Sequence, residues 1–282
     1  MDTHLDTTEP QRDPASTSTA PDGHRWEHAG DAWGRRARDW ACLFEHYAVD
    51  VVIAMFDRLP VRHGTELLDI ACGSGLAIRM AHGLGASVSG LDASEALIGI
   101  ARERAPDADI CVGDMFDLPW TDESFDAVTA VNGVWGGCEA ALAEAYRVLR
   151  PGGGIGISFW GHGHLDLKPC FRAFAQHSPA DHVAGMKRTH GIGRPGVAEM
   201  MLESVGFEVA ERDSRVSTVE WLDDETAWRA LTSLGPALPA LEHVGPEVLR
   251  PLVMDALSEL RDGHGIYRFR NDHQFVIARK PS

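Results

Sequence analysis

A short apolar strand that runs through an acid into a glycine turn is the clearest chemical signal in this sequence. Residues 67–77 read Leu-Leu-Asp-Ile-Ala-Cys-Gly-Ser-Gly-Leu-Ala, with Asp69 in the strand and Gly73 and Gly75 in the turn. Glycine permits positive φ and lets a ligand approach the backbone closely. Because helical periodicity begins at Ser74, the unpaired N–H groups of a helix start would face the turn. The stretch therefore predicts a site for a nucleotide-like ligand.

The spacing of the small residues argues against a dinucleotide as that ligand. A dinucleotide fingerprint places a third glycine or alanine three residues after the second glycine. Here Gly75 is followed by Leu76, Ala77 and Ile78, so the third small residue is missing. An acid precedes the turn instead, in the order Asp69-x-Ala71-x-Gly73-x-Gly75.

A second acid, Asp92, ends the next predicted strand at 87–91. The two oxygens of a carboxylate can accept hydrogen bonds from the two vicinal hydroxyls of a ribose, which predicts a ribose partner. Ser94 is also a plausible N-cap, so Asp92 could instead be a residue of the following helix start.

A third acid follows the strand at 109–112, in the pair Asp114-Met115. The acid can accept from the exocyclic amino group of adenine, and the apolar neighbour can cover the ring face. The alternative is a loop aspartate beside a core methionine. Asn132 closes the fourth strand at 126–131, where the reacting end of the ligand would lie.

Together these segments resemble class I S-adenosylmethionine-dependent methyltransferases of the ubiquinone and menaquinone biosynthesis type. The matching runs are at 68–75, 90–94, 113–114, 118–119, 124–126 and 149–153. The resemblance implies S-adenosylmethionine as the cofactor, bound by Asp69, Ala71, Cys72, Gly73, Gly75, Asp92, Ala93, Asp114, Met115 and Asn132. The family more often has a glycine where this sequence has Ala71.

In that family the helices before the glycine turn cover the site, and here this segment is rich in aromatic residues. The polar tips of Trp33 and Trp40 could reach the carboxylate of the cofactor, and Tyr47 could reach the acceptor. The alternative is an amphipathic helix packed on its own core.

The run Phe159–Asp166, after the fifth strand, is the predicted location of acid–base chemistry. A methyl sulfonium is already activated, so a base is needed only if the nucleophile must lose a proton. His162 is the predicted base, and its alternative is an exposed glycine- and histidine-rich loop without a catalytic role. The acceptor is assigned to Tyr47, Trp135, Trp160 and His164. The spacing His162-x-His164-x-Asp166 also allows a metal, but no ligand geometry follows from it, and no metal is predicted.

The predicted function is therefore the transfer of a methyl group to oxygen, nitrogen or carbon of a small, apolar or aromatic metabolite by in-line displacement. A non-catalytic regulatory or assembly subunit that binds S-adenosylmethionine is the alternative. A nicotinamide-dependent oxidoreductase is a third reading.

Strand and helix patterns alternate along the chain, which is typical of parallel βαβ units with helices on both faces of a sheet. The predicted fold is α/β and Rossmann-like, a doubly wound, mostly parallel sheet. The resemblance implies seven strands, the last at 273–279 inserted antiparallel beside the strand at 207–213. The predicted divisions are a disordered tail (1–25), a helical cap (26–62) and a cofactor-binding domain (63–282) with cap insertions at about 161–192 and 222–268.

Composition limits the partners of the 282-residue chain. Its net charge of −16 disfavours nucleic acid and anionic membranes. Five scattered cysteines without C-x-x-C spacing indicate reduced thiols in a cytoplasmic protein. We expect a small-molecule acceptor, no membrane or nucleic-acid partner, and a monomer or homodimer.

Overall fold

The computed structural model describes residues 26–282, so the predicted disordered tail at 1–25 lies outside the described residues. Within the described range, some side chains are also outside the description: His162, Asp181, Ala184, Gly185, Arg188 and Thr189.

Seven strands form one sheet in the order β3-β2-β1-β4-β5-β7-β6. The strands are β1 (Glu66–Ile70), β2 (Ser87–Asp92), β3 (Asp109–Val112), β4 (Phe125–Val131), β5 (Leu149–Leu165), β6 (Glu208–Trp221) and β7 (Tyr267–Arg279). The first five pair in parallel, and β7 is antiparallel to both β5 and β6. This confirms the predicted α/β fold and the position of its antiparallel last strand.

Helices cover both faces of the sheet. They are α1 (Trp26–Gly34), α2 (Ala37–Asp39), α3 (Val49–Arg58), α4 (Leu76–Gly83), α5 (Glu95–Arg104), α6 (Glu139–Val148), α7 (Lys168–His177), α8 (Ala180–Gly191), α9 (Val197–Ser204), α10 (Asp224–Thr232), α11 (Leu238–Val244) and α12 (Pro246–Ala256). Buried side chains of α3, α4 and α5 belong to one apolar core, and those of α6 and α9 to a second core. Within residues 26–282, no helix combines the length and the apolar character needed to cross a lipid bilayer.

The predicted cap is less regular than a pair of helices. A π-helical turn (Trp40–Phe44) and a 3-10 turn (Glu45–Ala48) separate α2 from α3. The end of β6 holds this segment, since Trp221 donates its indole N–H to the Leu43 carbonyl at 2.9 Å. Asp39 also pairs with Arg229 on α10.

The glycine- and histidine-rich segment after Trp160 is strand, so its prediction as a loop was wrong. Strand β5 continues to Leu165 beside β7. Gly161 and Gly163 make this possible, because a Cβ on Gly161 would overlap the Asp272 carboxylate and one on Gly163 would lie 2.9 Å from it. Strands β6 and β7 extend together in the same direction, in continuous register from Asp213↔Phe275 to Trp221↔Tyr267.

The segment up to about 193, predicted to be irregular, consists mainly of α7 and α8. Cys170, Phe171 and Phe174 recur at helical spacing on α7 and are buried in the core beside the extended strands. Burial of this apolar face stabilises a helix that the flanking glycines and prolines obscure in the sequence.

Candidate active site

The glycine turn joins the end of β1 to the start of α4 and holds three residues in left-handed conformations. The φ angles are +53° at Ala71, +55° at Gly73 and +80° at Gly75. A non-glycine residue at such an angle is uncommon, which explains why the family more often has glycine at the position of Ala71. Cys72 donates its N–H to the Leu91 carbonyl at 3.0 Å, so the turn lies against the end of β2.

Asp92 binds this turn directly. Its Oδ2 accepts the Gly73 N–H at 2.8 Å, and its Oδ1 accepts the Ser94 N–H at 2.8 Å. Burial raises the pKa of Asp92, and the backbone hydrogen bonds act in the opposite direction. Each oxygen has further acceptor capacity for a ligand hydroxyl. Ser94 also caps α5 by accepting the Leu97 N–H at 3.4 Å, so the acid and the helix cap coexist.

Asp69 lies inside the sheet, 1% exposed, where it accepts the Thr129 hydroxyl of β4 at 2.6 Å. Burial raises its pKa to about 7, against the Thr129 hydrogen bond, and the Asp92 charge raises it further. The carboxyl group therefore links β1 to β4 just below the turn.

Asp114 holds an acceptor without a partner. Its Oδ1 accepts the Phe116 N–H at 3.0 Å, whereas its Oδ2 is buried and has no partner among the described residues. Buried polar atoms are nearly always hydrogen-bonded in native proteins. Met115, 8% exposed, packs beside it in the second core. The unpaired oxygen suits a ligand that brings an N–H donor.

Helix α1 covers the loop that follows Asp92. A Cβ on Gly30 would overlap the carbonyl oxygen of Ala93, and one on Gly34 would lie 2.7 Å from Ser94 Oγ. These two glycines therefore permit close contact between α1 and the loop that follows Asp92.

Trp40 lies over the glycine turn, with its indole nitrogen 3.8 Å from the position of a Cβ on Gly73. Trp33 packs edge-on against Trp40, with ring centroids 5.1 Å apart, and also lies against Gly235 of the insertion. The structure thus brings Trp40 to the turn and places Trp33 behind it.

A partly buried ion pair that sequence analysis missed also joins the cap to the turn. Arg104 of α5 donates to Glu45 Oε1 at 2.5 Å and to the Ala41 carbonyl at 3.1 Å. The Ser74 hydroxyl donates to Glu45 Oε2. Burial raises the pKa of Glu45, and the hydrogen bonds from Ser74 and Arg104 lower it. No local pattern in the sequence marks this contact.

Asn132 is the centre of an aromatic cluster at the end of β4. It has φ +54° and donates its backbone N–H to the Ser158 carbonyl of β5 at 3.0 Å. Its side-chain N–H donates to the Tyr47 hydroxyl, and its Oδ1 accepts from His273 Nε2 at 3.1 Å. Trp160 stacks on Tyr47 at 4.6 Å and on His273 at 5.3 Å between ring centroids.

Burial controls the ionisation of two members of this cluster. It raises the pKa of Tyr47 and lowers that of His273 to about 3. Both side chains are therefore neutral at physiological pH. His273 was not among the predicted site residues, although it is a polar residue at an inward position of an alternating strand, a signal that the sequence does carry.

The remaining predicted residues lie elsewhere. Trp135 packs against Phe116, with centroids 6.5 Å apart, in the second core rather than beside Trp160. His164 Nε2 lies 2.7 Å from Asp166 Oδ1, and its side chain is 69% exposed. The His162 side chain is outside the described residues. Across the part of the chain that the structure describes, no group of three or more His, Cys, Asp and Glu residues could hold a metal ion.

Sequence comparison finds similar proteins of known activity. A family model described as a methyltransferase domain matches residues 67–153. The 27-O-demethylrifamycin SV methyltransferase of Amycolatopsis mediterranei is 31% identical over 203 residues, 66% of this chain and 68% of that enzyme. The demethylmenaquinone methyltransferase of Paenarthrobacter aurescens is 35% identical over 108 residues, 38% of this chain and 43% of that enzyme.

Solved structures share the fold. A methyltransferase of Bacillus halodurans C-125 has a TM-score of 0.57 at 20% identity, covering 83% of this chain and 100% of its own. A phosphoethanolamine N-methyltransferase of Haemonchus contortus, in complex with S-adenosyl-L-methionine, has a TM-score of 0.54 at 20% identity, covering 90% of this chain and 60% of its own. At these identities the likeness is one of fold alone.

Proposed function

We propose that this chain, which belongs to the class I S-adenosylmethionine-dependent methyltransferases, methylates oxygen, nitrogen or carbon of a small apolar or aromatic metabolite. One observation carries the acceptor part of this proposal. The aromatic cluster of Tyr47, Trp160 and His273 surrounds Asn132 at the end of β4, beside the strand ends that carry the cofactor motifs.

The residues around the turn fit the cofactor that the family uses. Asp92 would hold the ribose hydroxyls, and Asp114 would accept the adenine amino group through its unpaired Oδ2. Ala93 and Met115 would cover the adenine ring, and the turn residues Ala71, Cys72, Gly73 and Gly75 would contact the methionine part. Trp40, backed by Trp33, would close over this part from the cap.

When bound, S-adenosylmethionine supplies an electrophilic methyl group on a sulfonium centre. The chain then has to hold the acceptor atom in line with that group and exclude water. Asn132 is fixed at the strand end by Ser158, Tyr47 and His273, which makes it a rigid point beside the reacting atoms. A base is required only where the acceptor must lose a proton, and His162 remains the predicted base for such an acceptor.

The names of the relatives support a small-molecule acceptor. One relative is a rifamycin O-methyltransferase by its name, and another is a demethylmenaquinone methyltransferase. The flat face of the partly exposed Trp160 suits a planar acceptor, because stacking of aromatic rings adds to the free energy of burial.

The test is a transfer assay with S-adenosylmethionine labelled in its methyl group. The acceptors are a panel of naphthoquinols, phenols and macrocyclic polyketides, with a protein mixture and transfer RNA in parallel. We expect labelled product from the small aromatic acceptors, with the methylated atom assigned by mass spectrometry and NMR. Efficient labelling of protein or RNA alone would contradict the acceptor class.

The alternative, a non-catalytic subunit that binds the cofactor, gives a different result in the same experiment. Calorimetry would then detect S-adenosylhomocysteine binding without transfer to any acceptor. His162→Ala separates the role of this residue: loss of turnover with unchanged S-adenosylhomocysteine affinity supports a base, and an unchanged rate removes that role. His264→Ala, at an exposed position in the turn before β7, is the matched control.

A further inference from the structure

Three buried side chains on strands β6 and β7 hold polar atoms without partners. They are Ser217 Oγ, Asn271 Nδ2 and His273 Nδ1, and among the described residues only the Asp114 Oδ2 atom shares this state. The three residues are 0–1% exposed. An unpaired buried polar atom is costly, so a group of three on neighbouring positions requires an explanation.

The pairing of the strands places the three side chains on one face. Ser217 is directly opposite Asn271 in the antiparallel register, and His273 follows Asn271 by two residues. Directly opposed residues have Cβ atoms about 5 Å apart, and residues two apart on a strand lie about 7 Å apart on the same side. The polar atoms therefore form a short row, which we call the polar floor (Ser217, Asn271, His273).

The polar floor begins at the candidate active site. His273 donates from Nε2 to Asn132 Oδ1, and its ring contacts Tyr47 and Trp160. At the other end, Asn271 Oδ1 accepts the Leu167 N–H at 3.4 Å, at the start of α7. The row thus leads from the end of β4 to the place where the insertion helices cover the extended strands.

The contacts already made decide what each floor atom can still bind. Because an amide oxygen only accepts, His273 Nε2 is the protonated nitrogen, and its Nδ1 is left with a free lone pair. Because Asn271 Oδ1 accepts from Leu167, its amide nitrogen is a donor. The Ser217 hydroxyl can either donate or accept a hydrogen bond. The polar floor therefore presents a hydrogen-bond acceptor, His273 Nδ1, next to a hydrogen-bond donor, Asn271 Nδ2.

We propose that Ser217, Asn271 and His273 bind the methyl acceptor, and that this acceptor is an aromatic compound with two neighbouring oxygen substituents. Its hydroxyl group donates to His273 Nδ1, and the neighbouring carbonyl or hydroxyl oxygen accepts from Asn271 Nδ2 or Ser217 Oγ. The ring lies against Tyr47 and Trp160. The contacts orient the acceptor, and no proton leaves the acceptor to His273. The inference rests on the proposed function, since it specifies the acceptor of the same site.

The test measures acceptor binding without turnover. The full chain is saturated with S-adenosylhomocysteine, and two probes are titrated by calorimetry: a dihydroxynaphthalene with adjacent hydroxyl groups, and naphthalene. We expect the dihydroxy probe to bind the wild type at least about tenfold more tightly, as one to two hydrogen bonds in a buried site allow. Equal affinity for the two probes would overturn the proposal.

The variants Asn271→Leu and His273→Phe then remove floor atoms with side chains of similar shape. Each is expected to reduce the preference for the dihydroxy probe by about tenfold, and in Asn271→Leu the affinity for S-adenosylhomocysteine stays unchanged. Asn271→Leu removes the unpaired amide nitrogen but also the acceptor of the Leu167 N–H, so thermal unfolding is recorded to show that each variant is folded. The matched control is Thr218→Ala, on the exposed face of β6 beside Ser217, and it should leave the preference intact.

Failure of this inference is distinguishable from failure of the proposed function. If both variants fold and keep the full preference for the dihydroxy probe, the polar floor does not bind the acceptor, whatever the transfer assay gives. Loss of the preference in both variants supports the floor even if no methyl transfer is found. If the wild type and Asn271→Leu transfer methyl groups at the same rate, the chain is a methyltransferase but the polar floor does not bind its acceptor.

Discussion

Gly73 donates its backbone N–H to Asp92 Oδ2 at 2.8 Å, so the acid at the end of β2 holds the turn at the end of β1. The two strand ends are neighbours in the parallel register, with Ile70 opposite Leu91. An acid expected to bind a ribose therefore also fixes the backbone that would contact the rest of the ligand. Substitution of Asp92 should act on both the ligand and the turn.

The variant Asp92→Ala should weaken S-adenosylhomocysteine binding by about 1–3 kcal/mol, because a buried hydroxyl pair loses a charged acceptor. Calorimetry gives the affinity, and thermal unfolding gives the effect on the turn. Unchanged affinity would remove Asp92 from the ribose role.

Ser94→Ala is the matched control for Asp92→Ala. It removes the N-cap of α5, which should cost about 0.5–2 kcal/mol of stability, but leaves the Asp92 carboxylate in place. We expect a lower melting temperature with nearly unchanged affinity, so that a loss of affinity in Asp92→Ala can be separated from a loss of stability.

Asp114→Asn should change the base preference of the site. The variant places an amide N–H₂ where the unpaired Oδ2 lies, because Phe116 keeps an oxygen as its acceptor. Two donors would then face each other at the adenine amino group. We expect S-adenosylhomocysteine to bind about tenfold or more weakly, and its inosine analogue, which carries an oxygen there, to bind more tightly than to the wild type.

Asp117→Asn, at an exposed position three residues further along, is the control for Asp114→Asn and should leave both affinities unchanged. If Asp114→Asn affects the two ligands equally, the residue does not contact the amino group.

Gly133→Ala should disturb the contact between β1 and β4 at the site. An added Cβ would lie 2.5 Å from the Ala71 Cβ, so the two strand ends would have to separate. Overpacking of this kind costs about 1–3 kcal/mol, and cofactor affinity should fall with it. Urea unfolding and calorimetry measure the two effects.

Gly99→Ala provides the opposite outcome for comparison. This glycine lies in α5 with nothing within 4 Å of an added Cβ. The substitution should raise the free energy of unfolding by about 0.5–1 kcal/mol and leave affinity unchanged. A Gly133→Ala protein that behaves like Gly99→Ala would show that the strand ends can relax.

The buried Asp69 predicts a pH dependence of stability. Burial raises its pKa in the folded state to about 7, from an ordinary value of 3.8. Between these values the folded state binds more protons than the unfolded state, so the contribution to stability is present below the unfolded pKa and is lost as pH rises to about 7. The variant Asp69→Asn lacks this titration and keeps an oxygen acceptor for Thr129.

We therefore expect the free energy of unfolding of the wild type, relative to Asp69→Asn, to fall by an amount on the order of a few kcal/mol between about pH 4 and pH 7. Above about pH 8 the difference should be constant. Urea unfolding of both proteins across this range measures it. A difference that is constant from pH 4 to pH 7 would mean that Asp69 ionises normally in the folded state.

Local patterns predicted the cofactor half of the molecule well. The strands β2, β3 and β4 begin and end within one residue of the predicted limits. The reason is that each signal here is short-range: an apolar strand, an acid at its end, and a glycine or a capping residue that starts the next helix. The resemblance of these motifs to the family supplied the position of the antiparallel last strand.

The half of the molecule that contains β6 and β7 was predicted less well, because its strands are defined by contacts between distant residues. Strand β7 was expected to begin at His273 but begins at Tyr267, where it pairs with Trp221. The inward positions from Tyr267 to Phe275 alternate as the pleat requires, but Asn271 and His273 interrupt the apolar pattern. A polar residue at an inward position conceals a strand from pattern analysis.

The sequence by itself determined the family, the cofactor motifs and the order of the strands from β1 to β5, because these depend on neighbours in the chain. Only the tertiary structure decided which polar groups are buried and what they contact. His273 reaches Asn132 across 141 residues, and Glu45 reaches Arg104 across 59. Burial is a property of the packed molecule, and it is burial that keeps His273 neutral and leaves its Nδ1 without a partner.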